Sequence, residues 1–279
     1  MANATKHALA GVFRTVKKGG ETCYRASITF KNKHISLGSF SDENAAADAY
    51  LCASALLRGT EGVDAYEARL ARERIPLSFE KWVCLVNFRD NGMYFHNPIY
   101  LRPKYFYYYL SEEIFLIFDI DDLFYYSSHK IMARGNHYFV ADYGSQINVR
   151  SRYGIMPFAV AGRDYLFKNG NEHDFRYGNI VVVNRYQGVR KRELRGRIRY
   201  RSYIHVRGEY LIGEYETELE AAIAYNKAAD ILKKNGLRKS FRQNEPDCPA
   251  KEYSEIYTRL EISEKLRALS FPVIDKADV

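Results

Sequence analysis

Apolar and polar positions alternate with period two across residues 197–207. Ile198, Tyr200, Ser202, Ile204 and Val206 fall on one side of an extended chain, and Arg197, Arg199, Arg201, Tyr203, His205 and Arg207 on the other. The pattern predicts a strand with one packed face and one cationic face. After Tyr210-Leu211-Ile212-Gly213-Glu214-Tyr215 the period becomes helical. Thr217-Glu218-Leu219-Glu220 reads as a capping box, Ala221, Ala222, Tyr225, Ala228, Ala229 and Leu232 recur at helical spacing, and Gly236 supplies a stop.

The same succession opens the chain. Gly11-Val12-Phe13-Arg14 precedes Tyr24-Arg25-Ala26-Ser27-Ile28-Thr29-Phe30 and His34-Ile35-Ser36-Leu37-Gly38-Ser39-Phe40; Ser41 is then expected to cap a helix carrying Ala45, Ala46, Ala49, Tyr50 and Ala53. Offsets to the matching motifs near Gly188, Tyr200 and Tyr210 are 177, 176 and 175, so two turns shrink by one residue each. This is an internal repeat. Each copy is predicted to be a three-stranded antiparallel sheet with one helix across its apolar face. Small alanines let the helix lie close and leave the other face open.

Between the copies, residues 61–91 predict one or two amphipathic helices around the only tryptophan, Trp82, as scaffold or spacer. A β-rich block follows, with strands over 114–118 and 138–140 and a short acidic helix over 119–127. The last stretch, 249–270, has Tyr253, Ile256, Tyr257, Leu260, Ile262, Leu266 and Leu269 on a broad apolar face and is expected to fold back on the body. The expected class is α+β: two small three-stranded antiparallel sheet-plus-helix domains flanking a central β-rich domain. The expected spans are 1–60, 61–110, 111–184, 185–243 and 244–279.

Charge sharpens the picture. The net charge is +8, and residues 185–210 alone hold eight Arg and one Lys against two Glu, or +7. A concentrated cationic strand is the electrostatic footprint expected for phosphate, and nucleic acid is its natural partner. Tyrosine is abundant, at 24 residues, with a run Tyr105-Phe106-Tyr107-Tyr108-Tyr109. That run could stack bases; a packed sheet core with hydroxyls at its edges is the reading preferred here. Cys23, Cys52, Cys84 and Cys248 are widely separated and suggest neither a zinc cluster nor a disulfide framework. No apolar run of about 18 residues is present, so a cytoplasmic, nucleoid-associated protein is expected, with no membrane and no small-molecule substrate. Oligomeric state is not readable; a monomer is compatible with the sequence.

Both copies resemble the Apetala-two/ethylene-response-factor (AP-two/ERF) DNA-binding domain. Its hallmarks are Tyr-Arg-Gly-Val-Arg, a Trp-Arg-Ala-x-Ile strand, a Leu-Gly-x-Phe strand and an Ala-Ala-x-Ala-Tyr-x-x-Ala-Ala helix. The second copy has Tyr186-Gln187-Gly188-Val189-Arg190 and Ala221-Ala222-Ile223-Ala224-Tyr225-Asn226-Lys227-Ala228-Ala229; the first has Leu37-Gly38-Ser39-Phe40 and Ala45-Ala46-Ala47-Asp48-Ala49-Tyr50. The resemblance covers about forty per cent of the chain. It implies a sheet laid in the major groove of double-stranded DNA, where arginine reads guanine O6 and N7. The contacts implied in copy two are Arg190, Arg192, Arg197, Arg199, Arg201, Tyr203, His205 and Arg207; in copy one they are Arg14, Arg25, Ser27, Thr29, Lys31, His34 and Ser36. Tyr24 and Tyr200 replace the family's usual Trp, so base preference does not carry over. Copy one is less basic and suits specificity or spacing more than affinity.

The central block resembles the HNH endonuclease module that precedes AP-two domains in phage and bacterial homing-type enzymes. Asn169-Gly170-Asn171, Asp174, Arg176 and Asn179-Ile180 align with its signature, and Phe118-Asp119-Ile120-Asp121-Asp122-Leu123-Phe124 with its upstream acidic helix. That chemistry needs a histidine base, with a second histidine and an asparagine to hold the metal and shape the loop. Leu166-Phe167, Phe175 and Arg152 stand at the positions concerned, and His173 with Asp174 does not rebuild a centre because adjacent residues on a turn point apart. The module is therefore read as degenerate, with no catalytic residue, metal ligand or cofactor. His129 is read as a hydrogen-bonded structural histidine. The expected function is DNA binding without cleavage, as a regulator, a site-marking factor or a reader of modified bases. The alternative is a homing-type or modification-dependent endonuclease with a rearranged metal site, and a third reading makes the tyrosine-rich middle a protein interface.

Overall fold

The computed structural model describes residues 5–6, 9–16 and 19–271. The chain is α+β and separates into two compact units. One holds the described residues through Val149 together with Asn171–Asn179; the other holds Arg150–Gly170 and the described residues from Ile180 onward. The division thus runs through the span 111–184, expected as one domain, because residues 171–179 leave the surrounding chain to pack in the first unit.

The first unit opens with strands β1 (Thr5–Lys6), β2 (Val12–Val16), β3 (Thr22–Phe30) and β4 (Lys33–Phe40), hydrogen-bonded in that order as an antiparallel sheet. The short β1 pairs along β2 and makes four strands where three were expected. Helix α1 (Glu43–Arg58) crosses one face, burying Ala46, Ala49, Cys52, Ala53 and Leu56. Asp42, not Ser41, is its N-cap: its carboxylate accepts the Ala45 N–H at 2.8 Å. Helices α2 (Ala65–Leu70) and α3 (Phe79–Asn91) continue the same core. Residues Trp82 to Phe88 of α3 are all buried, so α3 is a central helix of the unit and not an amphipathic spacer.

A second antiparallel sheet follows, of β5 (Ile99–Leu101), β6 (Tyr105–Tyr109) and β7 (Phe115–Asp119). Alternation along β6 buries Phe106 and Tyr108, and the Tyr108 hydroxyl accepts the Ile131 N–H at 2.9 Å. The tyrosine run is thus half sheet core, as preferred from the sequence, and half a partly exposed aromatic row. A 3₁₀ turn (Ile120–Asp122) and α4 (Leu123–Ser128) form the acidic helical stretch, followed by a meander of β8 (Ile131–Arg134), β9 (His137–Asp142) and β10 (Ser145–Asn148).

The second unit contains α5 from Arg150 on (Val149–Arg152), the hairpin β11 (Tyr165–Phe167) with β12 (Ile180–Val182), and an antiparallel sheet of β13 (Val189–Leu194), β14 (Arg197–His205) and β15 (Glu209–Tyr215). Helix α6 (Glu218–Lys234) crosses one face of that sheet; the Thr217–Glu220 capping box is formed in both directions, at 3.1 and 3.3 Å. Helices α7 (Ala250–Arg259) and α8 (Glu264–Arg267) pack Ile256, Leu260, Ile262 and Leu266 into the α6 core. The C-terminal stretch therefore folds back as expected, broken at Leu260, whose ψ of 132° ends α7. Lys227 closes that end, donating to the Tyr257 and Leu260 carbonyls at 2.7 and 2.8 Å.

The two small sheets repeat each other in register. Val12 faces Ala26 as Val189 faces Ser202, and the next step carries a bulge in both, between Ala26 and Ser27 and between Ser202 and Tyr203. The Gly11 carbonyl accepts the Ser27 N–H at 2.9 Å, and the Gly188 carbonyl accepts that of Tyr203 at 2.8 Å. Both glycines have positive φ, +72° and +76°. A Cβ there would lie 2.6 Å from the Ser27 carbonyl oxygen or 2.2 Å from that of Tyr203, and would strike the ring of Tyr50 or Tyr225. Glycine, bulge and helix tyrosine form one recurring joint.

Candidate nucleic-acid interface

Cross-strand register decides which side chains meet. In an antiparallel pair, directly opposed residues share a face. Val189, Ser202 and Ile204 are buried toward α6. The opposite face therefore carries Arg190 across from Arg201, Arg192 across from Arg199, and Leu194 across from Arg197. Tyr203 and His205 continue it along β14, opposed by Leu211 and Glu209. Seven of the eight contacts expected in this copy thus converge. Arg207 does not, since β14 ends at His205 and Arg207 lies in the turn before β15.

The face is less cationic than the sequence count implied. Glu214 stands opposite Arg201 and accepts from its Nε at 2.6 Å, Glu216 accepts from Arg199 Nη1 at 2.8 Å, and Glu209 takes both Nη groups of Arg190. Glu214 and Glu216 lie just past the counted window and bring +7 down to +5. Hydrogen bonding to Glu214, then to Tyr203, raises the Arg201 pKa, and the Arg201 hydrogen bond lowers that of Glu214. The Arg190 guanidinium also lies over the Tyr203 ring, 4.4 Å from its centroid.

Arg192, Arg195 and Arg197 have no ion pair among the described residues and cluster at the β13–β14 hairpin tip. With Arg199, Arg201 and Glu214 they line an open hollow of about 500 Å³. Arg195, in the turn at φ +53°, was not among the expected contacts. The three glutamates were also missed as partners; for Glu214 the reason is the bulge between Ser202 and Tyr203, which shifts the β15 register so that the residue opposite Arg201 cannot be counted from the hairpin turn.

In the first copy Arg25, Thr29, His34 and Ser36 are exposed on the face away from α1, and Thr29 Oγ1 lies 3.3 Å from His34 Nδ1. Ser27 shares that face but is buried, at 8% exposure. Two expected contacts fall elsewhere. Arg14 is two residues from buried Val12 and opposite Tyr24, which puts it on the helix side of the sheet. Lys31 occupies the β3–β4 turn and donates its amine to the Arg89 carbonyl at 2.9 Å, at the end of α3. Phe13, Thr15 and Cys23 stand where the second copy has Arg190, Arg192 and Arg199, so only Arg25 persists of the four opposed arginines.

Residues 171–179 are built into the first unit. Segment 173–175 runs parallel beside β7, exchanging hydrogen bonds with Ile117. Asp174 is fully buried and ion-paired with Arg176 at 2.6 Å; Asn179 donates to the Asp174 carbonyl at 2.9 Å; Phe175 stacks on Phe118. His173 turns instead to the Tyr138 hydroxyl, at 2.9 Å. Among the described residues no three His, Cys, Asp or Glu side chains converge as metal ligands. His129 has the hydrogen-bonded environment expected, with Nδ1 2.9 Å from the Tyr125 carbonyl and its ring stacked on Tyr125. No helix among the described residues is long and apolar enough to cross a membrane. Comparisons with protein-family models, curated proteins and solved structures return no match.

Proposed function

We propose that the chain binds double-stranded DNA and that the face of β13–β15 opposite α6 enters the major groove. The observation that carries this reading is the convergence of Arg190, Arg192, Arg197, Arg199 and Arg201 on one sheet face, with Arg192 and Arg197 free of ion pairs among the described residues and Arg199 and Arg201 each held by a single glutamate. A two-stranded ribbon fits a groove about 12 Å wide, and the nine residues of β14 extend about 30 Å along it. The likeness of both copies to AP-two/ERF domains supports the same placement. The first sheet offers Arg25, Thr29, His34 and Ser36, a single guanidinium among small polar groups, which suits base discrimination or spacing more than affinity. The block resembling an HNH module acts as scaffold under this reading, since Asp174, Phe175 and Asn179 are committed to packing and hydrogen bonds.

Selection of bound fragments from random and from native genomic DNA, side by side, tests the proposal. A shared recovered motif is expected, and a motif recovered from only one pool would reveal dependence on base modification. Recovery no better than that of an Arg192→Ala, Arg199→Ala, Arg201→Ala variant overturns it.

A further inference from the structure

We infer that Glu214 is a specificity-determining residue, and that Arg201 and Glu214 together read a single G·C pair; this deepens the DNA-binding reading and rests on it. A guanidinium has two hydrogen-bonding edges, the side through Nε and the end through Nη1 and Nη2, and five N–H donors in fixed geometry. The three arginine–glutamate pairs of this face use those edges differently. Glu209 takes both Nη groups of Arg190 and so occupies the end edge that a guanine would need. Glu216 takes Arg199 Nη1. Glu214 alone sits on the Nε side, at 2.6 Å, leaving the end edge of Arg201 without a carboxylate. Arg201 is on the middle strand, and Glu214 is its directly opposed partner on β15.

The major-groove edge of a G·C pair presents two acceptors, guanine N7 and O6, next to one donor, the cytosine N4 amine. Arg201 matches the acceptors with its end edge while Glu214 fixes it from the side. A carboxylate accepts from cytosine N4, so the second Glu214 oxygen complements the donor on the opposite strand. An A·T pair places an amine where guanine has O6, against the guanidinium. The carboxylate also lowers attraction to phosphate, which penalises every sequence equally and leaves the matched pair favoured.

The test uses the full chain and a panel of duplexes in which each base pair of the selected site is replaced in turn, with binding followed by fluorescence anisotropy. E214Q is expected to flatten the preference at one G·C position by on the order of tenfold while affinity for unrelated DNA holds or rises. R201K, which keeps the charge and loses the fork, is expected to flatten the same position. Unchanged circular dichroism confirms that both variants fold; a variant that misfolds is replaced by E214A or R201Q, with the same expectation. An E214Q profile identical to wild type at every position overturns the inference, as does flattening of different positions by the two variants, and DNA binding itself then stands. Failure of the wild-type chain to bind any duplex overturns the parent reading and the inference with it.

Discussion

Ser202 and Ala26 occupy the same position in the two sheets, one step before the bulge and facing the helix. Both are buried, at 0% and 1% exposure, but the Ser202 Oγ has no hydrogen-bond partner among the described residues. A buried hydroxyl left unsatisfied costs about 1–3 kcal/mol. Removing one oxygen leaves a void smaller than a methyl group, which returns a part of that gain. Ser202→Ala should therefore stabilise the second unit by about 1 kcal/mol, and Ala26→Ser should destabilise the first by about the same or more, since the oxygen must also find room. Urea unfolding gives the magnitudes, and hydrogen exchange of β14 and α6 peptides against β3 and α1 peptides assigns each to its unit. A lowered midpoint for Ser202→Ala, or no effect of Ala26→Ser, would refute the equivalence of the two sites and the claim that Ser202 is unsatisfied.

Other expectations follow from the same packing. Gly188→Ala should cost about 3–5 kcal/mol, from the left-handed backbone together with a clash against backbone; Gly196→Ala, at φ +74° with nothing within 4 Å, should cost only about 1–2 kcal/mol, and equal losses would contradict the joint. Burial pushes the hydroxyls of Tyr109, Tyr225 and Tyr257 up to about 12 from an ordinary value of 10.0, and those of Tyr108 and Tyr215 still higher. Raised values mean that this stability is complete below pH 10 and is lost as pH rises toward 12, so alkaline unfolding should coincide with tyrosinate absorbance; ionisation well before unfolding would argue against it. Asp174→Ala removes the buried carboxylate that accepts from the Arg176 N–H and guanidinium, while Arg176 itself still reaches solvent, and should destabilise the first unit by about 1–3 kcal/mol, measured by thermal unfolding. Plasmid incubated with the wild-type chain and Mg²⁺ or Mn²⁺ should stay intact, and cleavage lost in Asp174→Ala would overturn the scaffold reading.

Much of this was legible because it is local. Alternation along residues 197–205, alanine spacing in the two helices and the Thr217–Glu220 box each depend on neighbours within a turn or a strand. What the sequence concealed depends on partners set by register. Period two places Arg201 on the open face, but the bulge after Ser202 decides that Glu214 faces it. The family resemblance put Arg14 and period two put Lys31 on the face of Arg25, while pairing sent Arg14 to the helix side and the turn carried Lys31 to the end of α3. Seven consecutive buried residues in α3 include Asn87, whose side chain bonds the Met93 carbonyl and the Leu101 N–H, so a polar residue disguised a central helix.

The salt dependence of duplex binding tests the central claim most directly. Each phosphate contact contributes about 0.9 to the slope of log K against log salt. Alanine at Arg192, Arg195 and Arg197, which removes three cations from the face, should therefore reduce the wild-type slope by about 2 to 3 and weaken binding, while Arg72→Ala, exposed in the first unit, should change neither. Wild-type affinity and slope retained in the triple variant would contradict the assignment of the β13–β15 face to DNA.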